Sequence, residues 1–232
     1  MVRAYIKVAR QAGRALENEY MILQQLDKSV FPQILDSCFE EMPFLVTREL
    51  PGERLSVIVG QNTDMVSLSY MEEYGRTLAK IHAMDISACP VVDRRFFHKP
   101  PLLMLENLNL DHQKQFFETE PETAVPVFCH GDFHYANIMW ENHHISGILD
   151  FELAGIGNRD FDIAWALIRR PGQKFMKALS ETERFLEGYE SFGSCNRAAV
   201  RYYMAQIYVY FLSFSKDDAE YCEYVRNWLK KI

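Results

Sequence analysis

Apolar positions follow two different periods along this chain. Up to about residue 50, short apolar strings alternate with one helical stretch. Beyond residue 64 the spacing is mostly that of helices. Ala4–Val8 reads as a strand carrying a single charge, Lys7. Residues 14–27 place Ala15, Leu16, Glu19, Ile22, Leu23 and Leu26 at helical three-and-four spacing, with a carboxylate, Glu19, on the apolar face. Residues 34–39 and 44–49 predict two strands joined by Glu40-Glu41-Met42-Pro43, and Pro51-Gly52 marks a break.

A long helix is expected over 64–84, with Leu68, Met71, Gly75, Leu78 and His82 on one stripe. The stretch 86–126 contains Pro90, Pro100, Pro101, Pro121 and Pro126, which predicts an irregular connection around one helix near 106–118. Short β strings at 127–129, 138–140 and 145–149 bracket polar residues. Three or four helices are expected from Asp160 on, the aromatic-rich one at about 197–214 being buried. Strands mostly early and helices mostly late make an α+β pattern.

Composition narrows the picture. The 232 residues are 48% hydrophobic and 25% charged, a globular mixture. A net charge of −7 gives no general drive toward nucleic acid or an anionic membrane. No apolar run approaches the roughly 18 residues of a membrane span, and Arg3, Lys7 and Arg10 interrupt the start, which therefore does not read as a signal peptide. The five cysteines (38, 89, 129, 195, 222) form no CxxC pair, against both a disulfide scaffold and a thiolate zinc site. A reduced, cytoplasmic protein is expected.

The chemistry concentrates in His130-Gly131-Asp132-Phe133-His134-Tyr135-Ala136-Asn137, followed after a short hairpin by Leu149-Asp150-Phe151-Glu152. Phosphoryl transfer needs a carboxylate to accept or orient the attacking hydroxyl's proton, and hard oxygen ligands to hold Mg²⁺ against nucleotide phosphates. Asp132, Asn137 five residues on, and Asp150 closing an apolar strand supply that set. Each alone also fits an ordinary solvated turn residue. His130 and His134 at i,i+4 could ligate a transition metal on a helix, but Gly131 and the flanking β strings argue against a helix there.

The segment resembles the catalytic loop and metal-binding segment of the aminoglycoside phosphotransferase/choline kinase family, relatives of the protein kinases. Further similarities run in the same order: Ala4–Val8 to the strand carrying the nucleotide-binding lysine, Leu16-Glu17-Asn18-Glu19 to the following helix, and residues 44–52 to the strand and hinge that hold adenine. Tyr74-Gly75-Arg76-Thr77-Leu78-Ala79-Lys80-Ile81-His82 and Asp150-Phe151-Glu152 with Gly157 and Asp162-Ile163-Ala164 also resemble family signatures. The resemblance implies a two-lobed kinase-like fold, with residues 1–50 as the nucleotide-binding lobe and 51–232 as hinge and helical catalytic lobe. It implies ATP- and Mg²⁺-dependent phosphorylation of a hydroxyl on a small molecule, aminoglycoside-like or another amino- or hydroxyl-bearing metabolite.

Residue by residue, the resemblance makes Asp132 the catalytic carboxylate and Asn137 and Asp150 the Mg²⁺ ligands. Lys7, held by Glu19, contacts the α/β-phosphates. The backbone of Arg48 and Leu50 brackets the adenine, and His130 and Asp162 support the loop. Independently, Glu19 would be costly to bury unpaired, and Lys7 is a suitable partner. Alternatively, Lys7 snorkels from an edge strand and Glu19 sits at the margin of its stripe. His82 reads as a packing histidine, and His143 and His144 as exposed hairpin residues.

Two departures stand out. Only six residues precede Lys7, so the glycine-rich hairpin that normally covers the phosphates is expected to be absent from this chain. Phe151 stands where the family commonly has Trp. Two rival readings are a non-catalytic nucleotide-binding homologue and a metallohydrolase using His130, Asp132 and His134. Acidic residues of the tail (Glu181, Glu183, Glu187, Glu190, Asp217, Asp218, Glu220) could attract a polycationic substrate or simply form solvated helix faces.

Overall fold

The computed structural model describes residues 3–9, 15–94, 96–122 and 124–232. Strand β1 (Ala4–Val8), helix α1 (Ala15–Leu23) and strands β2 (Ile34–Cys38) and β3 (Phe44–Arg48) form the first unit. Its antiparallel sheet has the order β1-β3-β2. In the register, Lys7 lies opposite buried Leu45 and so shares its face of the sheet. Tyr5, Ile6 and Val8 of this edge strand are exposed. Lys7 thus points inward while its apolar neighbours face water.

α1 buries Leu16, Asn18, Glu19, Ile22 and Leu23. It ends before the expected residue 27. Its end tightens into a turn in which the Gln25 N–H bonds the Ile22 carbonyl (2.9 Å), and beyond it Asp27 accepts a hydrogen bond from the Ser29 N–H (2.8 Å). The expected first residue, Arg14, lies outside the described residues.

Strand β4 (Glu53–Arg54) leads into helix α2 (Leu55–Val59) and the long helix α3 (Leu68–His82). Helix α4 (Leu102–Asn107) is earlier and shorter than the helix expected near 106–118. Pro101 opens it in an extended conformation, and Asn109, at φ 55°, turns the chain out before a single 3₁₀ turn at Asp111–Gln113. Strands β5 (Val127–Cys129), β6 (Ile138–Glu141), β7 (His144–Ile148) and β8 (Gly155–Gly157) follow. β4-β6-β7 form one small sheet and β5-β8 another. Asn142 and His143, both at positive φ, make the tight β6–β7 turn, where His143 and His144 are exposed as expected. β4 and β8 carry no sequence signal, being two and three residues long.

Four helices complete the chain: α5 (Arg159–Leu167), α6 (Leu179–Glu190), α7 (Arg197–Phe214) and α8 (Ala219–Leu229). α7 is buried along most of its length, as its aromatic content predicts. α3 and α6 touch backbone to backbone: a Cβ at Gly75 would fall 1.9 Å from the Phe185 carbonyl oxygen, and one at Gly188 would fall 2.0 Å from that of Glu72. A small antiparallel sheet with one helix, set against a mostly helical body, is the α+β architecture expected. Among the described residues, no helix is long and apolar enough to cross a membrane. The five cysteines are free.

Candidate active site

The loop between β5 and β6 is fixed from behind. Asp162, in the first turn of α5, accepts from the N–H of His130 (3.1 Å) and of Gly131 (3.1 Å), and its Oδ2 also meets His82 Nε2 (3.1 Å). Asn158 caps α5 by accepting from the Asp160 and Phe161 N–H groups, which sets the helix start beside the loop. Gly131 has φ 79°, and a Cβ there would lie 2.1 Å from the Leu153 carbonyl oxygen, so only glycine fits.

His130 is fully buried. Its Nδ1 accepts from the Asp132 N–H (3.3 Å) and its Nε2 donates to the Leu149 carbonyl (3.0 Å). Burial pushes its pKa down, in keeping with this neutral tautomer. With both ring nitrogens engaged on backbone, His130 has no lone pair for a metal, which removes the basis of the metallohydrolase reading.

Asp132 emerges from this loop with both carboxylate oxygens directed. Oδ1 accepts from Trp165 Nε1 (2.8 Å), and Oδ2 accepts from Asn137 Nδ2 (3.0 Å). His134 Nε2 stands 3.4 Å from Oδ2, while its Nδ1 accepts from the Ala136 N–H. Burial opposes the Asp132 charge. The bonds from His134 and Trp165, with Arg170 nearby, outweigh it and hold the carboxyl below its usual range. Asp132 is therefore an anion throughout the physiological range.

Lys7 sits among three carboxylates: Glu19 Oε2 at 2.8 Å, Asp150 Oδ1 at 2.9 Å and Glu152 Oε1 at 3.3 Å. Burial disfavours its ammonium, but Glu19 and Asp150 more than compensate and raise its pKa, so Lys7 stays charged. Burial pushes the Glu19 carboxyl up, with Lys7 pulling the other way. Glu19 Oε1 also accepts from the Phe151 N–H (3.3 Å), and Asn18 Nδ2 donates to the Glu152 and Ala154 carbonyls (3.0 Å each). Two adjacent residues of α1 thus grip the 151–154 segment.

Asp150 itself has φ 69°, a strained conformation for a residue with a Cβ and one that functional sites often store. Glu19, Asp150 and Glu152 place a ligand oxygen each within 4.8 Å of one another. Among the described residues, three carboxylates against one ammonium leave an excess of negative charge built from hard oxygens. The Asn137 side chain turns its nitrogen toward Asp132, which leaves its amide oxygen as an acceptor. This donor set fits Mg²⁺.

Arg48 ends β3, and its N–H donates to the Gln33 carbonyl (2.8 Å), so only its carbonyl side could meet a base. Leu50 lies just beyond. A Cβ at Gly147 would sit 2.8 Å from Leu50 Cδ1, so this glycine makes room for the Leu50 side chain to pack against β7. The structure thus brings Lys7, Glu19 and Asp150 together in one cluster and Asp132 and Asn137 in another, the two joined where the Leu149 N–H donates to the Asn137 carbonyl (2.8 Å), and puts Arg48 and Leu50 on the connecting segment. Sequence reasoning missed the contacts of Trp165, Glu152 and Asn18. Trp165 had no local signal, because an indole at that spacing reads as helix packing. Glu152 and Asn18 lay inside the quoted motifs without a role.

The phosphotransferase enzyme family matches residues 3–201. The chain belongs to this family. It is thus a small-molecule kinase, a phosphotransferase with a hydroxyl acceptor. An aminoglycoside 3'-phosphotransferase of Niallia circulans is 27% identical over 224 residues, covering 87% of this chain and 81% of that protein. A probable aminoglycoside 3'-phosphotransferase of Lactococcus lactis subsp. lactis (strain IL1403) is 23% identical over 176 residues, covering 69% and 66%. Among solved structures, the streptomycin–ATP complex of APH(2")-IIa superposes with a TM-score of 0.65 at 15% identity, over 94% of this chain and 83% of that one. The macrolide 2'-phosphotransferase MphH of Brachybacterium faecium gives 0.62 at 17% identity, over 97% and 84%. The fold is therefore the two-lobed kinase-like fold that the motifs implied.

Proposed function

We propose that this protein transfers the γ-phosphoryl group of ATP, with Mg²⁺, to a hydroxyl of a small molecule. The observation that carries the reading is a pair of adjoining clusters, Lys7–Glu19–Asp150 and Asp132–Asn137, drawn from residues up to 143 positions apart and joined where the Leu149 N–H donates to the Asn137 carbonyl (2.8 Å). Residues 1–50 form the nucleotide-binding lobe in this account, and 51–232 the hinge and catalytic lobe. The ATP complex of a protein with the same fold supports the choice of nucleotide.

Asp132 accepts a hydrogen bond from the acceptor hydroxyl and aims its oxygen at the γ-phosphorus. The bond from that oxygen to phosphorus forms, the bond from phosphorus to the β,γ-bridging oxygen breaks, ADP leaves, and the hydroxyl proton passes to Asp132 or onward to solvent. Its depressed pKa suits a group that orients and briefly holds a proton rather than a strong base. Asn137 and Asp150 hold Mg²⁺ through oxygen, and bound Mg²⁺ neutralises charge on the nucleotide phosphates. Lys7, fixed by Glu19, reaches the α/β-phosphates, and the backbone of Arg48 and Leu50 faces the adenine edge.

The test is Asp132→Ala. Turnover should fall by on the order of 10²–10⁴-fold with Mg·ATP binding retained by calorimetry. Near wild-type phosphotransfer by this variant would refute the assignment.

A further inference from the structure

The walls beside Asp132 indicate what kind of alcohol it faces. We infer that the acceptor is an amine-free alcohol with an apolar ring face, not a polycation; this rests on the phosphotransferase reading above. Three sets of contacts carry it.

First, the indole that binds Asp132 begins a run of aromatic rings. Trp165 meets Phe97 (5.1 Å between centroids), Phe97 meets Tyr210 (5.7 Å) and Phe211 (5.9 Å), and Phe211 meets Phe214 (5.2 Å). Trp165, Phe97 and Tyr210 are half-buried, and Phe214 is 63% exposed. This leaves ring surface for a ligand to cover within reach of the catalytic carboxylate.

Second, the faces of Trp165, Phe161 and Tyr203 already hold guanidinium groups. Arg170 lies over Trp165 at 4.8 Å and is fixed there by the Trp165 and Ile168 carbonyls. Arg94 lies over Phe161 at 4.2 Å and Tyr203 at 5.2 Å. Resident cations on these rings repel an incoming one.

Third, the acidic residues of the helical tail are committed elsewhere. Glu181 is buried and accepts from the N–H groups of Met176, Lys177 and Ala178. Glu183 and Glu190 bind Arg197, and Glu187 binds Arg184. Glu220 faces Arg169, Lys174 and Lys177. Asp218 spends both oxygens on the N–H groups of Tyr221 and Gly172. Of the seven, Asp217 alone remains as an exposed carboxylate without such a bond, whereas attraction of a polycation needs several together.

The experiment measures phosphate transfer from radiolabelled ATP to two sets of alcohols: phenyl and naphthyl β-glucosides, and kanamycin with gentamicin. Transfer to the aryl glycosides is expected at a KM roughly tenfold or more below that for either aminoglycoside. Phe97→Ala should raise the aryl glycoside KM roughly tenfold more than it raises the KM for ATP. A lower KM for kanamycin or gentamicin, or equal effects of Phe97→Ala on both substrates, would overturn the inference. No transfer to either set, with Mg·ATP still bound in calorimetry, would overturn it and leave the phosphotransferase reading standing. Loss of Mg·ATP binding as well would overturn both.

Discussion

Replacing Lys7 with Met removes the one cation that, among the described residues, binds this group of three carboxylates, and leaves Glu19, whose side chain is only 3% exposed, beside Asp150 and Glu152 without it. Breaking a fully buried ion pair from one side costs about 3–5 kcal/mol, whereas an exposed pair contributes about 0–1. Lys7 is 36% exposed, so water screens part of the loss, and roughly 1–3 kcal/mol is the expected deficit. For a chain of this size that lowers Tm by roughly 3–10 °C. The pH dependence has a definite sign. Burial raises the folded-state pKa of Glu19, so the folded protein binds this proton more readily than the unfolded chain, and the group's contribution falls as pH rises. Lys7 opposes that trend by favouring the carboxylate. Without Lys7 the deficit should be smallest near pH 5 and grow toward about pH 8. The double variant Lys7→Met with Glu19→Gln removes both charges and should recover most of the lost Tm at the upper pH. Thermal melts of the nucleotide-free protein across this range make the measurement. A Lys7→Met protein that melts with the wild type at the upper pH, or whose deficit is flat with pH, would refute the account of Lys7 as counter-ion to a buried carboxylate.

Calorimetry of Asp150→Ala should show ATP binding that no longer tightens on adding Mg²⁺, since a ligand oxygen is gone; an unchanged Mg²⁺ response would remove Asp150 from the metal site. Trp165→Phe keeps the ring and deletes the 2.8 Å bond to Asp132. A hydrogen bond to a charged group contributes about 1.5–3 kcal/mol, so kcat should fall by roughly tenfold or more while the KM for ATP holds. Equal losses in both constants would show that the indole acts only through packing.

How much of this was readable beforehand depended on whether a contact left a local trace. Lys7 and Glu19 each broke a pattern: a lone charge in a strand and a carboxylate on an apolar helix face are anomalies that ask for a partner, and they pair at 2.8 Å. The loop from His130 to Asn137 carries its geometry in its own sequence, because Gly131 and the short-range bonds of His130 and His134 shape it locally. Trp165 left no such trace. Its partner lies 33 positions away, and only the placement of α5 by Asn158 and Asp162 brings the two together. The helix expected near 106–118 lies instead at Leu102–Asn107, because the conformational preferences of Pro101 and Asn109 set where α4 starts and stops.

The glycine contacts between α3 and α6 reach further than packing. An ordinary Cβ needs about 3.4 Å, so a methyl at Gly75 or Gly188 would force the two helices apart by more than an ångström. His82, in the last turn of α3, bonds Tyr189 Oη of α6 at 2.7 Å and Asp162 at 3.1 Å, and Asp162 in turn holds the backbone of His130 and Gly131. The spacing of two helices is therefore geared, through one imidazole and one carboxylate, to the height at which Asp132 stands. A lesion among these helices, with no contact to nucleotide or acceptor, would register as a misaimed carboxylate. The packing of the helical scaffold and the aim of the Asp132 carboxylate are a single mechanical adjustment.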